Sequence, residues 1–414
     1  MGARDPVTPV NSVSKRVRSM NGGQSATILP PVEWTRRGDL AALVAALGPG
    51  EVRWVGGCVR DTLLGGSVSD IDAATPHEPE AVMALLAKAG LRAIPTGIEH
   101  GTVTVPLPGG KVEVTTLRRD VSTDGRRAVV AFATDWREDA ARRDFTINAL
   151  YADPTTLEIF DYFGGRDDLA ARRVRFIGDA RQRIREDHLR ILRYYRFQAR
   201  FGSELDAEAE EACAELAPTL MGLSRERVAM ELLNLLALPD PGPTVTRMEQ
   251  RGVLPVVLPE AGTSGVTALG ALIAEEACQG IAPDPLRRLA ALLPADPRVA
   301  EQVAARLRLS AAQKKRLATA AERGPEPGDA RALAYRLGRE EALDRLLLAG
   351  ADTAPLAGWP IPSFPLKGGE IVARGIASGP EVARILHVVE DRWVAEGFPD
   401  KRRVDALLDQ ELRR

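Results

Sequence analysis

Two adjacent glycines near the start of the chain stand where backbone groups could approach a phosphate. Gly56 and Gly57 separate a predicted strand, Val52 to Val55, from a helix that begins near Val59. Glycines at such a turn expose their N–H groups, and the helix start adds a partial positive charge. Arg60 follows in the first helical turn, so Gly57 and Arg60 are candidates for holding a triphosphate.

Asp70 and Asp72 lie two residues apart on a second predicted strand, Ser69 to Ala73. Side chains at that spacing point to one face of a strand. Two carboxylates can hold Mg²⁺ while substrate phosphates fill its remaining ligand positions. A pair of such ions about 4 Å apart activates an attacking hydroxyl and neutralises a leaving pyrophosphate. Either motif alone is typical of a tight turn or a solvated strand end, but together they favour a catalytic metal site.

These motifs and several later segments carry a resemblance to a known family. Gly56 to Asp72 resemble the glycine and double-aspartate motif of the DNA polymerase β nucleotidyltransferase superfamily. The chain is further similar, over residues 50 to 236, to the class II tRNA nucleotidyltransferases and bacterial poly(A) polymerases. The later segments that carry this similarity are Thr96 to Val105, Val112 to Arg118, Asp139 to Leu150 and Arg185 to Phe197.

The resemblance implies roles for several residues of the first 150. Glu113 matches a third catalytic carboxylate beside the metal ions, although a salt-bridged strand residue is the alternative. His100 is expected to be structural, because a two-metal site stabilises charge without a protein base. Arg143 matches a nucleotide contact, and Asp144 offers an acceptor for a ribose 2′-hydroxyl.

The segment from Arg185 to Phe197 resembles the part of the family that selects the base. Asp187, Arg190, Arg193 and Arg196 are spaced by three, which on one helix would form a single stripe. In the family the Asp and the first Arg match the edges of C and A. The resemblance therefore implies that Asp187 and Arg190 read the base, while Arg193 and Arg196 hold the triphosphate or support that pair. A solvated charged face is the plain alternative.

The pattern of elements predicts an α+β protein. Short strands and helices mix through the first 150 residues, and helical periodicity dominates from Arg166 to the end. The resemblance implies a polymerase-β-like nucleotidyltransferase head with a mixed sheet, followed by an all-α neck, body and tail. The predicted ranges are a disordered tail at 1–30, the head at 31–153, the neck at 154–240, the body at 241–352 and an RNA-binding tail at 353–414.

Charge is distributed unevenly, although the net charge of the 414 residues is only −2. From Arg166 to Arg200 there are eleven arginines against five acids, a local excess of positive charge able to attract phosphates.

No apolar run approaches the roughly 20 residues of a membrane span. The three cysteines lack metal-ligand spacing and are predicted to be reduced thiols, so we expect a cytoplasmic protein without membrane partners.

The function implied by the resemblance is CCA addition to the tRNA 3′ end from CTP and ATP, with Mg²⁺ as cofactor. Poly(A) polymerase and partial CC- or A-adding activity are alternatives, and a non-catalytic RNA-binding module is a second one. The segment from Thr123 to Trp136 resembles a mobile loop that switches CCA enzymes from C to A. Together with an acidic pI of about 6.2, it favours CCA addition over poly(A) synthesis.

Overall fold

The computed structural model describes residues 28–123, 128–323 and 329–413. Nine strands occur in these residues: β1 Arg53–Val55, β2 Ile71–Thr75, β3 Ile94–Gly97, β4 Thr102–Leu107, β5 Gly110–Thr116, β6 Arg118–Thr123, β7 Ala128–Phe132, β8 Leu150–Ala152 and β9 Ile159–Asp161. Seven of them form one mixed sheet in the order β3-β4-β5-β2-β1-β8-β9, and β6 pairs with β7 in a separate hairpin. Within the large sheet β2 and β5 are parallel, and the other neighbours are antiparallel.

Helices flank this sheet and then continue alone to the end of the described chain. Those in and beside the sheet are α1 Gly38–Leu47, α2 Gly57–Leu63, α3 Pro79–Lys88, α4 Trp136–Ala141 and α5 Gly165–Ala170. The next group is α6 Ala180–Glu186, α7 Arg190–Phe201, α8 Ala207–Leu216, α9 Arg225–Leu236, α10 Gly242–Gln250, α11 Leu254–Val257 and α12 Gly262–Cys278. The last are α13 Pro285–Leu292, α14 Pro297–Arg306, α15 Ala311–Ala321, α16 Ala330–Leu337, α17 Arg339–Leu348, α18 Gly368–Val372, α19 Pro380–Ala395 and α20 Lys401–Leu412.

Local sequence signals explain why these helices begin where they do. Asp206 and Asp400 accept hydrogen bonds from the first-turn N–H groups of α8 and α20. Ser310 and Gln313 form a reciprocal capping box at α15. Such caps satisfy N–H groups that have no partner within the helix. Ser224 caps α9 in the same way, as its position before an apolar helix predicts.

Apolar side chains form a continuous core from the head through the following helices, and the last helices have a separate core. The first core joins sheet residues such as Trp54 and Val114 to helical residues as late as Leu347. The second is centred on Trp393 and Leu407 in α19 and α20. The predicted α+β class, with a mixed sheet followed by helices, is confirmed. The exact domain boundaries remain a prediction.

The structure differs from the sequence prediction at several points. Leu29 is fully buried and its N–H donates to the Leu157 carbonyl at 2.7 Å, so ordered chain begins before residue 30. The predicted disorder of residues 1–27 lies outside the described residues. The segment expected as a mobile loop after Thr123 contains β7 and the start of α4, while residues 124–127 lie outside the described ranges.

No helix in the described ranges is both long and apolar enough to cross a bilayer.

Candidate active site

A glycine turn joins β1 to α2 at the centre of the sheet. Gly56 has φ 73° and ψ −120°, a conformation that residues with a Cβ rarely adopt. Its N–H donates to the Leu150 carbonyl on the neighbouring strand at 3.1 Å. A Cβ at this position would lie 3.5 Å from Arg143 Nη1 and 3.6 Å from the Asn148 carbonyl. The turn therefore needs glycine, and it places the Arg143 guanidinium directly beside its backbone.

Two of the three predicted carboxylates, Asp72 and Glu113, lie side by side on neighbouring strands, and Asp70 is near enough for its charge to act on Asp72. Asp72 is half-buried in β2 and pairs across the parallel register with Glu113 of β5. Asp70 is exposed and lies just before β2, which begins at Ile71 rather than at Ser69. Burial raises the pKa of Asp72, and the negative charges of Glu113 and Asp70 raise it further, whereas Arg143 opposes the shift. The negative charges of these carboxylates therefore repel one another.

Glu113 forms the salt bridge that was one of the two alternatives expected for it, and its role beside a metal ion stays a prediction. Its Oε1 lies 2.9 Å from Lys111 Nζ, so it forms a salt bridge on the exposed part of β5. It also lies beside Asp72 and contributes to the raised pKa of that group. A partner as exposed as Lys111 leaves the carboxylate accessible to another cation.

The chemistry of this acid cluster suits a hard divalent cation. Within the described ranges, no three His, Cys, Asp or Glu side chains lie close enough to form a complete metal-binding group. Mg²⁺ does not require such a group, because it binds through one or two carboxylates and completes its shell with waters and substrate phosphates. A cation would relieve the repulsion that raises the pKa of Asp72. The residues present therefore fit Mg²⁺ bound together with a nucleotide.

Arg60 is placed differently from its expected role as a triphosphate contact. Its side chain is only 5% exposed. It donates to the side chains of Asn148, at 2.5 Å, and Asp61, at 2.9 and 3.0 Å, and it packs over the rings of Phe197 and Phe201. Apart from the adjacent Asp61, the neighbours that bury it are distant in sequence, which is why its position after the glycines was misleading. In this structure Arg60 ties α2 to the turn that precedes β8 and to α7 instead of facing open space.

Asp139 anchors a buried network that sequence reasoning missed. It accepts hydrogen bonds from Tyr151 Oη at 2.7 Å, Arg142 Nε at 2.8 Å, the Arg118 N–H at 3.1 Å and Arg143 Nη2 at 3.2 Å. Burial alone would raise its pKa, but the two guanidiniums hold that pKa well below its usual range. The network fixes Arg143 with one face toward Asp139 and Tyr151 and its Nη1 beside the glycine turn.

Asp144 is also committed to internal partners. Its Oδ1 accepts from the Phe145 N–H at 2.8 Å and from Asn148 Nδ2 at 3.0 Å. Its Oδ2 accepts from Arg193 Nε at 2.8 Å and Nη2 at 2.5 Å. Burial opposes ionisation, yet Arg193 holds the pKa of Asp144 well below its usual range. The expected acceptor for a ribose hydroxyl is thus an ion pair that joins the head to α7.

The predicted base-reading residues lie at a break between two helices, not on one continuous helix. Asp187 has extended backbone, φ −148° and ψ 106°, after α6 ends and before α7 begins at Arg190. Its Oδ1 accepts from the Leu189 N–H at 3.1 Å, and this local bond competes with helix continuation. Its Oδ2 accepts from Arg227 Nη2 of α9 at 2.7 Å. The expectation of one stripe from Asp187 onward is therefore wrong, and the stripe begins at Arg190.

Arg190 spans the break between α6 and α7. Its Nη1 donates to the Arg183 carbonyl and to Glu186 Oε2, both at 2.8 Å, and its Nη2 donates to the Arg142 carbonyl at 3.0 Å. The side chain therefore connects both helices to the segment that carries Arg143. The described structure brings the two predicted base-reading residues into one region, each held by partners from other elements.

Arg193 and Arg196 share a buried acid from α9. Glu231 is 3% exposed, and its carboxylate lies 2.6 Å from Arg196 Nε and 3.6 Å from Arg193 Nη1. Both guanidiniums also lie over the ring of Phe197. These contacts favour the supporting role that was one of the two expected for these arginines. Arg227 and Glu231 are four apart on α9, so helical spacing places both on one face of that helix but does not show which element the face meets.

Two family models match parts of this chain. A family model described as "Poly A polymerase head domain" matches residues 52–175, which contain the glycine turn and the acid cluster. A second, described as "Probable RNA and SrmB- binding site of polymerase A", matches residues 202–263, which contain α8 to α11.

Curated relatives match most of the chain. The CCA tRNA nucleotidyltransferase 1, mitochondrial, of Mus musculus is 36% identical over 379 residues, which is 84% of this chain and 84% of that protein. A CCA-adding enzyme of Oceanobacillus iheyensis is 46% identical over 184 residues, covering 44% of this chain and 45% of that enzyme.

Solved structures match over nearly the full length. The CCA-adding enzyme of Bacillus stearothermophilus in complex with CTP is 29% identical, with a TM-score of 0.72 over 91% of this chain and 97% of that chain. The Thermotoga maritima CCA-adding enzyme complexed with tRNA_CCA shares the fold at 22% identity, with a TM-score of 0.65 over 91% of this chain and 99% of that chain. The resemblance predicted from the motifs is confirmed, and the chain belongs to the nucleotidyltransferase family of the CCA-adding enzymes and poly(A) polymerases.

Proposed function

We propose that this nucleotidyltransferase adds CCA to the 3′ end of tRNA, using CTP and ATP and releasing pyrophosphate. The observation that carries the proposal is the 36% identity, over 84% of both chains, to a protein named as a CCA tRNA nucleotidyltransferase. The acid cluster beside the glycine turn supports catalysis over a purely RNA-binding role, because a binding module has no need to place Asp72 against Glu113.

In the proposed reaction the RNA 3′-hydroxyl attacks the α-phosphate of the bound nucleotide in line with the leaving pyrophosphate. Asp70 and Asp72 would hold Mg²⁺, with Glu113 beside them. When bound, the ion supplies positive charge that neutralises the triphosphate and the developing negative charge. The turn gives the phosphates close access to the Gly57 N–H at the start of α2, since the Gly56 N–H is already bonded to the Leu150 carbonyl.

Arg143 is the cation best placed to face the triphosphate. Its Nη1 lies beside the glycine turn, and its charge is felt by Asp72. Asp139 and Tyr151 hold the other side of the guanidinium, so the group is oriented before a nucleotide arrives. Preorganised charge of this kind costs no rearrangement during the reaction. Arg60 and Asp144 are assigned positioning roles, because their polar atoms already have internal partners.

Asp187 and Arg190 are proposed to choose the base. An Asp oxygen can accept from the exocyclic amino group that C and A share, and an Arg can donate to ring acceptors. U and G present other groups at the matching positions, so a buried mismatch leaves polar atoms unpaired. Arg227, Glu186 and the main-chain carbonyls around the α6–α7 break hold both side chains in place. Arg193 and Arg196 lie on α7, the helix after this break, and support it by pairing with Glu231 of α9.

The helical end of the chain is proposed to contact RNA, as its similarity to the tail of class II enzymes implies. Helices α18 to α20 share a separate core around Trp393, against which Tyr335 of α16 also packs. The expected cytoplasmic location stays a prediction, since several relatives carry "mitochondrial" in their names.

The direct test is transfer of label from CTP and ATP to a tRNA that lacks its terminal CCA, with Mg²⁺ present. We expect addition of two C residues and one A, and loss of transfer in Asp72→Asn. The matched control is Glu51→Gln, which changes an exposed acid before β1. Long A-tails on arbitrary RNA would indicate a poly(A) polymerase, addition of C or A alone would indicate a partial enzyme, and RNA binding without transfer would indicate a binding module.

A further inference from the structure

The face of the large sheet that carries the acid cluster also carries an arginine held by aromatic rings. Arg53 of β1 pairs with Ala74 of β2, two residues after Asp72, so Arg53 and Asp72 point to the same face. The Arg53 side chain is half-buried, and among the described residues it forms no salt bridge. Arginines are seldom buried without a carboxylate partner, so the contacts of this one need another explanation.

Three aromatic side chains surround the Arg53 guanidinium. Its central carbon lies 4.2 Å from the ring centroid of Trp136 and 3.6 Å from that of Phe160. Its Nη1 donates to Tyr162 Oη at 2.9 Å. A flat guanidinium can lie over a ring and donate within its own plane at the same time, which a lysine ammonium cannot do. Arg53 therefore connects β1 to rings from the start of α4, from β9 and from the segment just after β9.

Two of these rings pack against Tyr151, the tyrosine that orients Arg143. Trp136 meets the Tyr151 ring edge to face, with centroids 5.8 Å apart, and Tyr162 meets it in the same way at 6.1 Å. Tyr151 is fully buried, and its Oη accepts from Arg143 Nε at 3.1 Å and donates to Asp139 at 2.7 Å. The place of this hydroxyl is therefore set by the two rings that pack against its own.

We propose that Arg53 is a positioning residue for nucleotide binding, which acts on Arg143 through the rings that hold Tyr151. It keeps the Tyr151 hydroxyl bonded to Arg143 Nε, and so keeps Arg143 Nη1 beside the glycine turn before a nucleotide arrives. A cation oriented in advance costs no rearrangement when the triphosphate binds. This role rests on the proposed function of Arg143 as a triphosphate contact, and it applies to CTP and ATP whichever RNA receives the nucleotide.

The test is the affinity of the full chain for CTP and for ATP with Mg²⁺, measured by isothermal titration calorimetry without RNA. Arg53→Met removes the flat cation and should weaken binding of both nucleotides about tenfold, the typical effect of losing one hydrogen bond to a charged group. Arg53→Lys keeps the charge but cannot lie over the rings and donate together, so its binding should also be weakened, by at least about threefold. Circular dichroism should show both variants folded at the assay temperature.

Combination with Tyr151→Phe separates a positioning role from a general loss of structure. Tyr151→Phe removes the hydroxyl that orients Arg143 and should itself weaken nucleotide binding about tenfold. If Arg53 acts through this hydroxyl, adding Arg53→Met to Tyr151→Phe should change the affinity by less than about twofold. Independent effects would instead multiply to a loss of about a hundredfold.

Arg137→Met is the matched control. Arg137 also lies over an aromatic ring of this region, that of Phe163 at 5.3 Å, but not over either ring that holds Tyr151. The variant removes the same charge from the head and should leave both nucleotide affinities unchanged.

The proposal is overturned if Arg53→Met or Arg53→Lys binds both nucleotides as tightly as the unaltered chain, or if the losses multiply in the double variant. It is also overturned if Arg137→Met weakens binding equally, or if the unaltered chain binds neither nucleotide. Absence of CCA addition to tRNA, with the expected affinity changes present, would instead contradict the proposed function and leave the role of Arg53 supported.

Discussion

The ion pair between Asp144 and Arg193 gives the sharpest stability prediction, because it joins the catalytic head to the base-selecting helix. Asp144→Asn keeps the shape of the side chain but removes its charge. An amide NH₂ in the Oδ2 position would face two guanidinium donors, Nε and Nη2, and could not accept from either. The substitution should therefore destabilise the junction between head and neck.

The magnitude follows from the burial of the two partners. Removing one member of a buried pair typically costs about 3–5 kcal/mol. The Asp144 side chain is 9% exposed, but that of Arg193 is 31% exposed and keeps Glu231 at 3.6 Å. Partial exposure and a second carboxylate reduce the cost, so we expect a loss of about 2 kcal/mol in the free energy of unfolding.

The assay is urea unfolding of the single variants Asp144→Asn and Arg193→Met and of the double variant. The double-mutant cycle should give a coupling of about 2 kcal/mol, since the residues contact each other directly. Asp167→Asn, at an exposed acid, is the control and should change stability little. A coupling below about 0.5 kcal/mol would refute the assignment of this pair as a head-to-neck anchor.

The pH dependence provides an independent check on the same pair. The pKa of Asp144 is lower in the folded chain than in the unfolded chain, so its contribution is fully present above the unfolded value near 4. That contribution is lost as pH falls through the lower folded value. The stability difference between the unaltered chain and Asp144→Asn should be constant from pH 5 to 8 and shrink below about pH 4. A difference that persists in acid would contradict the charge-based account.

Three further predictions test other parts of the structure. Gly56→Ala should cost about 1–3 kcal/mol in unfolding measurements, because a residue with a Cβ is strained at φ 73°; an unchanged stability would contradict this. The Arg37 side chain is the main cause that lowers the pKa of Asp39 to about 2. The unaltered chain should therefore lose stability as pH falls from about 4 to 2, and Asp39→Asn should lose less of its own stability over that range in thermal melts. Arg190→Ala should relax the choice among four nucleotides more than it weakens tRNA binding, and unchanged incorporation ratios would refute its role in base choice.

Much of the fold could be predicted because local patterns determine it. Helices α8, α9, α15 and α20 each begin after a capping residue that can be read in the sequence, namely Asp206, Ser224, Ser310 and Asp400. The short strands β3, β8 and β9 were missed, since segments of three or four residues carry little periodicity and depend on their neighbours in the sheet. The segment from Thr123 to Trp136, predicted as a mobile loop, contains β7, whose partner β6 is identified only by strand pairing.

The positions of some site residues could likewise be predicted from the sequence, and those of others could not. Asp72 and Glu113 are brought together by strand register, and the motif indicated their types correctly before the register was known. Arg60 and Asp144 have the right residue types for binding a nucleotide, but burial commits them to internal partners that lie up to 88 residues away in sequence. The long-range partners Asp139 and Glu231 could be identified only after folding had placed them.

The central claim is that Asp70 and Asp72 hold a divalent ion against a triphosphate seated on the glycine turn. The most direct measurement is a crystal structure of the full chain with CTP and Mn²⁺, whose anomalous scattering locates the ion. We expect an anomalous peak bonded to both carboxylates and to phosphate oxygens, with Arg143 beside the triphosphate. A peak bound elsewhere, or phosphates that lie away from Gly56 and these two acids, would contradict the account.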